Sequence, residues 1–146
     1  MKILILGAGR VGTSVAENLV SEQNDITLID TDGQRLAQLQ ERLDLRGVVG
    51  NGTHLPVLEQ AGAADADLLI ACATADETNL VACKIAKQVF NVPRRIARAR
   101  SSAFLDHPEL MGDEGFCVDH LISPERAVTN YLESLVEFPE ALQVLE

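Results

Sequence analysis

The chain has 146 residues, 47% of them apolar and 3% aromatic, with a formal net charge of −10. That length fits one domain with a buried core, and the shortage of aromatics makes the core aliphatic. The acidic balance argues against a nucleic-acid partner, which needs a basic surface, and against docking on acidic lipid.

Lys2 to Leu6 (KILIL) is a run of apolar strand formers stopped by Gly7, the pattern of a strand buried on both faces. Arg10 to Glu22 predicts a helix, with Val11, Val15, Leu19 and Val20 on one stripe. Ile26 to Asp30 is a second strand and Gln34 to Arg42 a second helix. Arg46 to Val49 is a short third strand that runs into Gly50-Asn51-Gly52. Leu55 to Ala61 follows as a short helix with Pro56 in its first turn, where proline is tolerated. Asp67 to Ala73, the most apolar stretch, is the fourth strand, and Asp76 to Phe90 is a long helix with Leu80, Ile85 and Val89 inward. Arg95 to Ala99 is a fifth strand, Ser102 to Met111 a helix and Phe116 to Ile122 a sixth strand. Strands alternating with crossover helices predict an α/β fold, a Rossmann-type doubly wound parallel six-stranded sheet in the order 3-2-1-4-5-6.

Residues 1–123 account for that nucleotide-binding unit, and Pro124 opens a last helix to about Glu137 that is surplus to the sheet. Its stripe of Ala127, Val128, Tyr131, Leu132, Leu135 and Val136 packs back on the sheet, crosses to a second protomer or leads into a following domain. We expect residues 124–146 to form a crossing, dimerising helix and the start of a connection to a further lobe. Cys72, Cys83 and Cys117 lack CxxC spacing and read as small buried hydrophobes in a reducing compartment. No apolar run approaches the roughly 18 residues of a membrane span, and Met1 to Leu6 is too short for a signal peptide. The expected location is the cytoplasm, with attachment to a membrane protein left open.

The chemistry concentrates at Gly7-Ala8-Gly9-Arg10-Val11-Gly12, a GxGxxG placed between a strand and a helix. Gly7 permits the tight turn, Gly9 the approach of a pyrophosphate, and Gly12 the close packing of helix on strand. Amides at the helix N-terminus and the positive end of its dipole then face the phosphates. Asp30 ends the second strand near the place, roughly 20 residues on, where the fingerprint needs an acceptor for ribose hydroxyls. A carboxylate there repels a 2′-phosphate, so the expected ligand is NAD(H) or another adenosine with an unmodified ribose. Asp32 reads as the start of the next turn with Gly33, and Arg35, on a helix, as solvated.

Two further loops lie at strand C-termini. Asn51 and Gly52 can bring an amide and backbone to the adenosine, or simply turn the chain toward a helix with Asn51 or Thr53 near its cap. Ala73 and Thr74 flank the expected switch point between strands one and four, and Asp76 reads as the N-cap of the following helix. Arg98 and Arg100, two apart on the fifth strand, project to the same side, where a cation neutralises a phosphate. Catalytic groups do not assemble. Tyr131 has Leu135 four residues on instead of the lysine of short-chain dehydrogenases, and His54, His107 and His120 lack metal-ligand spacing. The site reads as built to bind; the alternative is the cofactor-binding domain of an NAD-dependent oxidoreductase whose substrate domain lies elsewhere.

The segments MKILILGAGRVG, NDITLID, GAADADLLIACATADETNLVAC, RRIARARS and DHLISPE closely resemble the N-terminal nucleotide-binding domain of the bacterial Trk-type potassium-uptake regulators, of the RCK class. The resemblance spans essentially the whole chain; its third and fifth segments are specific, whereas the first is shared by Rossmann proteins at large. It implies a non-enzymatic subunit, peripheral on the inner face of the membrane. Such a subunit assembles as a homodimer or larger ring under a membrane potassium transporter subunit and gates it in response to NAD(H) or ATP/ADP. It also implies that Gly7 to Val11, Asp30, Ala73, Thr74 and Arg98 contact NAD(H), and that Arg10 reaches a terminal phosphate of ATP. Glu125, in ISPE, is similar to an acidic position near the ATP metal in related rings. Many relatives carry aspartate where this chain has Asn51, so no charged contact is implied from the third loop. Full-length Trk regulators look like two such units in tandem, of which this chain is the first N-lobe.

Overall fold

The computed structural model describes residues 1–123, and the expected helix from Pro124 with its Glu125 lies outside them. Six strands, β1 (Lys2–Leu6), β2 (Asp25–Asp30), β3 (Arg46–Val49), β4 (Leu68–Ala71), β5 (Arg94–Arg98) and β6 (His120–Ile122), form one sheet. All pair in parallel, in the order β3-β2-β1-β4-β5-β6. The order reverses at β1, which pairs with both β2 and β4, so the C-terminal ends of β1 and β4 open a crevice there.

Alternate residues of β1 feed two separate cores. Ile3 and Ile5 pack with Val11 and Val15 of α1 (Arg10–Leu19) and Leu36 of α2 (Gly33–Arg42) on one face. Leu4 and Leu6 pack on the other with Leu58 of α3 (Leu55–Gln60) and Leu80 of α4 (Asp76–Gln88). Ile3 to Leu6 are between 0% and 3% exposed, which is why these four successive positions are all apolar instead of every second one.

Several elements are shorter than their sequence patterns suggest, β4 and α4 among them, and three of these have a local cause. The first helix stops at Leu19 and not Glu22, because Val20 is extended and the Asn24 side chain donates to the Leu19 carbonyl. The segment expected as one helix from Ser102 to Met111 divides into α5 (Ser102–Leu105) and a 3-10 turn at Pro108–Met111. Pro108 has no N–H to continue the ladder, and its ring disfavours a helical His107. The sixth strand begins at His120 and not Phe116: Cys117 has a left-handed φ of 58°, and Phe116 and Cys117 donate back to Leu110 and Gly112.

Candidate functional site

A crevice of about 700 Å³ lies over the C-terminal ends of β1, β2, β4 and β5, a size within the range of small-molecule sites. Gly7, Ala8, Gly9, Arg10 and Val11 line its floor. Gly7 has φ of +103°, and a Cβ there meets the Ala73 backbone nitrogen at 2.9 Å, so only glycine lets the β1 turn lie against the β4 loop. Gly12 does not line the crevice. A Cβ at Gly12 overlaps the Gly7 carbonyl oxygen, so its absence seats α1 directly on the turn. Above Gly9 there is open space for at least 4 Å, where a ligand can approach the backbone. Gly9 is also the N-cap of α1, without a side-chain cap, so the first amides of the helix point toward the crevice for an anion to satisfy.

Asp30 is tied into that floor. One carboxylate oxygen accepts from the Ala8 amide at 2.6 Å and the other from the Asp32 amide at 2.8 Å. Each oxygen retains capacity for a further donor, so the same group that orders the glycine turn can accept from a ribose. Arg35 is exposed, as expected, and its guanidinium also reaches back from the first turn of α2 to donate to the Ala8 carbonyl at 2.8 Å. The cause is local: Asp32 caps α2 by accepting from the Arg35 amide, which places the Arg35 Cα beside the β1 turn, within reach of a long guanidinium. Thr13 donates to the same carbonyl at 3.1 Å, so the Ala8 peptide is held on both its N–H and its C=O.

Asn51 and Gly52, after β3, line the crevice on the Asp30 side of β1, and Ala73, Thr74 and Arg98, at the ends of β4 and β5, line it on the other, joined by Thr78 and Arg100. Asn51 closes its own turn, accepting from the amide and hydroxyl of Thr53, while His54 is the N-cap of α3. Gly52 is small because a Cβ there overlaps the Leu6 side chain. Asp76 is not the N-cap of α4, which is Ala75. Its carboxylate turns outward from the helix to accept from the amides of Arg100 and Ser101. Arg98 is 9% exposed and Arg100 is at the surface, so a buried and an exposed cation follow one another along the end of β5.

The other two arginines of that basic run stay away from the crevice. Arg95 donates to the carbonyls of Val92 and Cys117 and pairs with Asp119 at 3.2 Å, bracing β5 against β6. Asp119 is thereby tied to Arg95 through both of its carboxylate oxygens. Burial lowers the His120 pKa below the ordinary imidazole value. Among the described residues the crevice is lined by the cations Arg10, Arg35, Arg98 and Arg100 and by the carboxylates Asp30 and Asp32. Cys72 also lines it, but burial pushes that thiol up to about 12, with the Arg98 guanidinium opposing, so it is a neutral wall and not a nucleophile. Cys83 is raised in the same way, by burial first.

Among the described residues no group of His, Cys, Asp and Glu is placed to hold a metal ion, and no helix is long and apolar enough to cross a membrane. The sequence profile of the TrkA-N domain matches residues 3–124. The chain is 52% identical over 146 residues to the Trk system potassium uptake protein TrkA of Vibrio alginolyticus, covering 99% of this chain and 32% of that protein. It is 53% identical over 145 residues to the protein of the same name from Haemophilus influenzae, again covering 99% of this chain and 32% of the relative. The chain thus spans about a third of the length of these relatives. The TrkA-N domain of the inner membrane protein ybaL from Escherichia coli superposes with a TM-score of 0.73 at 23% identity, covering 92% and 96% of the two chains. The GsuK channel bound to NAD gives 0.70 at 21% identity, over 89% of this chain and 22% of that one. The Kef CTD of Shewanella denitrificans in its AMP-bound form also gives 0.70 at 21% identity, over 99% and 86%.

Proposed function

Because the chain belongs to the TrkA-N domain family, we propose that it is the nucleotide-sensing N-lobe of a regulatory subunit of a Trk-type potassium transport system. It binds NAD(H) or ATP/ADP in the crevice and transmits the bound state to a membrane potassium transporter subunit. The observation that carries this reading is the convergence of the α1 N-terminus, the Asp30 carboxylate and the Arg98–Arg100 cations on one crevice. A phosphate lies on the amides of Gly9 to Val11, a ribose hydroxyl donates to Asp30, and the remaining phosphates extend toward Arg98 and Arg100. Arg10 serves the terminal phosphate of ATP, and Ala73 and Thr74 leave room where the ligand crosses from β1 to β4. Asn51 and Gly52 border the adenosine.

The ligand works as a switch by its differential affinity for two arrangements of an assembled ring, so NAD(H) and ATP/ADP compete for one site but favour different arrangements. In that assembly residues 1–123 are the sensing lobe. The subunit is cytoplasmic, peripheral on the membrane, and a homodimer or larger ring. This is a binding role rather than catalysis; it is favoured over a dehydrogenase cofactor domain by the family and by the names of the relatives.

The test is a calorimetric titration of the full-length protein with NADH, NAD⁺, ATP, ADP and NADPH. NADH and ATP are expected to bind saturably and to displace one another, with NADPH much weaker. A ligand at one hundred times its dissociation constant stabilises the folded state by about 2.7 kcal/mol, so thermal unfolding gives an independent readout. Absence of binding by all five, or hydride transfer to a substrate at enzymatic rates, overturns the proposal.

A further inference from the structure

We infer that Asp76 and Asn79, in the first turn of α4, are positioning residues that fix the Ala73–Thr74 and Arg98–Ser101 loops across the crevice, and so set how strongly it holds the phosphates of a nucleotide. The inference rests on the nucleotide-binding reading above and assigns those two side chains a part in it.

The need for a clamp follows from the sheet. The β4–β5 ladder ends at the Ala71–Ala97 pair, yet the crevice-lining residues Ala73, Thr74, Arg98 and Arg100 all lie beyond that rung. Backbone pairing of these two strands therefore stops just short of the residues whose separation matters. Asn79 takes over at that point. Its Oδ1 accepts from the Ala73 amide at 2.7 Å, and its Nδ2 donates to the Ala73 carbonyl and the Arg98 carbonyl, both at 2.9 Å. The side chain thus presents to Ala73 the same donor and acceptor that a neighbouring strand would, while its second N–H holds the end of β5. Asn79 is 0% exposed, and three of the four hydrogen bonds it can form are made to these two loops.

Asp76, one turn earlier, extends the bracing along the second loop. Its oxygens accept from the Arg100 amide at 3.1 Å and the Ser101 amide at 2.9 Å. A buried carboxylate bonded to two amides of a distant loop, with Ala75 as the helix N-cap, is not spent on ending its own helix. Neither side chain lines the crevice, so both act through the residues they hold. Two cations on a backbone fixed at both ends lose little further freedom when an anion arrives, and that prior ordering favours binding. The effect must fall on phosphates, because Arg98 and Arg100 lie on the clamped loop whereas Asp30 and the glycine turn do not.

The test compares ATP with adenosine on the full-length protein, in unmodified form and as Asn79→Ala and Asp76→Asn. Both variants are expected to weaken ATP by about fivefold or more while adenosine changes by less than about twofold, the loss of one or two hydrogen bonds being expressed only through the phosphates. Equal losses for ATP and adenosine, or no loss for ATP, overturn the clamp. Failure of the underlying reading shows differently, as no binding of ATP to the unmodified protein. Amide hydrogen exchange supplies a readout that does not depend on ligand or on the variants folding. In the unmodified protein the Ala73, Arg100 and Ser101 amides must exchange more slowly than the crevice-facing Gly9 amide, and comparable rates overturn the proposal.

Discussion

Asp30 is placed to do two things, and the structure separates them. In most arguments about this fold an acidic residue at the end of β2 is a ribose acceptor. Here its two oxygens also hold the Ala8 amide at 2.6 Å and the Asp32 amide at 2.8 Å. Asp30→Ala therefore removes two charge-assisted hydrogen bonds within the protein itself. Fully buried, each is worth about 1.5–3 kcal/mol. Asp30 is half-buried and water can replace part of the loss, so we expect about 1.5–3 kcal/mol in total. For a domain of this size that lowers the melting temperature by roughly 3–10 °C.

Asp30→Asn is the sharper probe of the bracing. Its single carbonyl oxygen satisfies one of the two amides, while its NH₂ is set against the other. Its melting temperature should fall between those of the unmodified protein and Asp30→Ala. The ligand side is read separately, as the ratio of NADH to NADPH affinity. Removing the carboxylate removes its repulsion of a 2′-phosphate, and the ratio should shrink by about tenfold or more. The assay is thermal unfolding without ligand, followed by titration of both dinucleotides. An Asp30→Ala protein that melts with the unmodified one but no longer binds NADH refutes the bracing and leaves Asp30 a ribose acceptor alone.

Two further perturbations address the scaffold. Gly12→Ala places a Cβ inside the Gly7 carbonyl oxygen, and α1 must lift from the β1 turn to relieve it. We expect a loss of about 1–3 kcal/mol in urea unfolding together with weaker ATP binding; a change under about 0.5 kcal/mol means that helix and turn yield freely. His120 contributes a pH dependence of known sign. Burial lowers its folded pKa below 6.5, so between the folded value and 6.5 the unfolded chain binds more protons and stability rises with pH. As pH falls through that window, the unmodified protein should lose stability faster than His120→Gln, compared by melting at pH 5 and pH 7. Parallel pH profiles for the two proteins exclude any such contribution.

The sheet order and the position of the crevice were legible because they are carried by periodic or local signals. KILIL followed at once by glycines marks β1 and its turn, and the alternation of strands with helices leaves few arrangements for six parallel strands. Sequence patterns fail where a single residue overrides a period. Pro108 divides the helix expected across it, and the left-handed Cys117 delays β6 in a segment rich in strand formers. The family was legible from segments around β4, α4 and β6, which lie in the stretch matched by the TrkA-N profile.

What remained hidden in the sequence is the polar wiring of the crevice, and the reason is the distance along the chain over which it acts. Arg35 looks like any exposed helix arginine until its guanidinium is seen on the Ala8 carbonyl, and Asp76 looks like any helix-starting aspartate until its carboxylate is seen on Arg100 and Ser101. Asn79, the most buried of these polar groups, sits among apolar residues of α4 where a period-based reading sees only an imperfect stripe. Each binds backbone, not side chain, so its partner carries no residue type that a motif can record. One rule nevertheless would have singled out Asn79. A polar residue on the inward face of a helix that begins at the C-terminal end of a central strand must find partners, and the unpaired strand ends beside the crevice are the nearest ones.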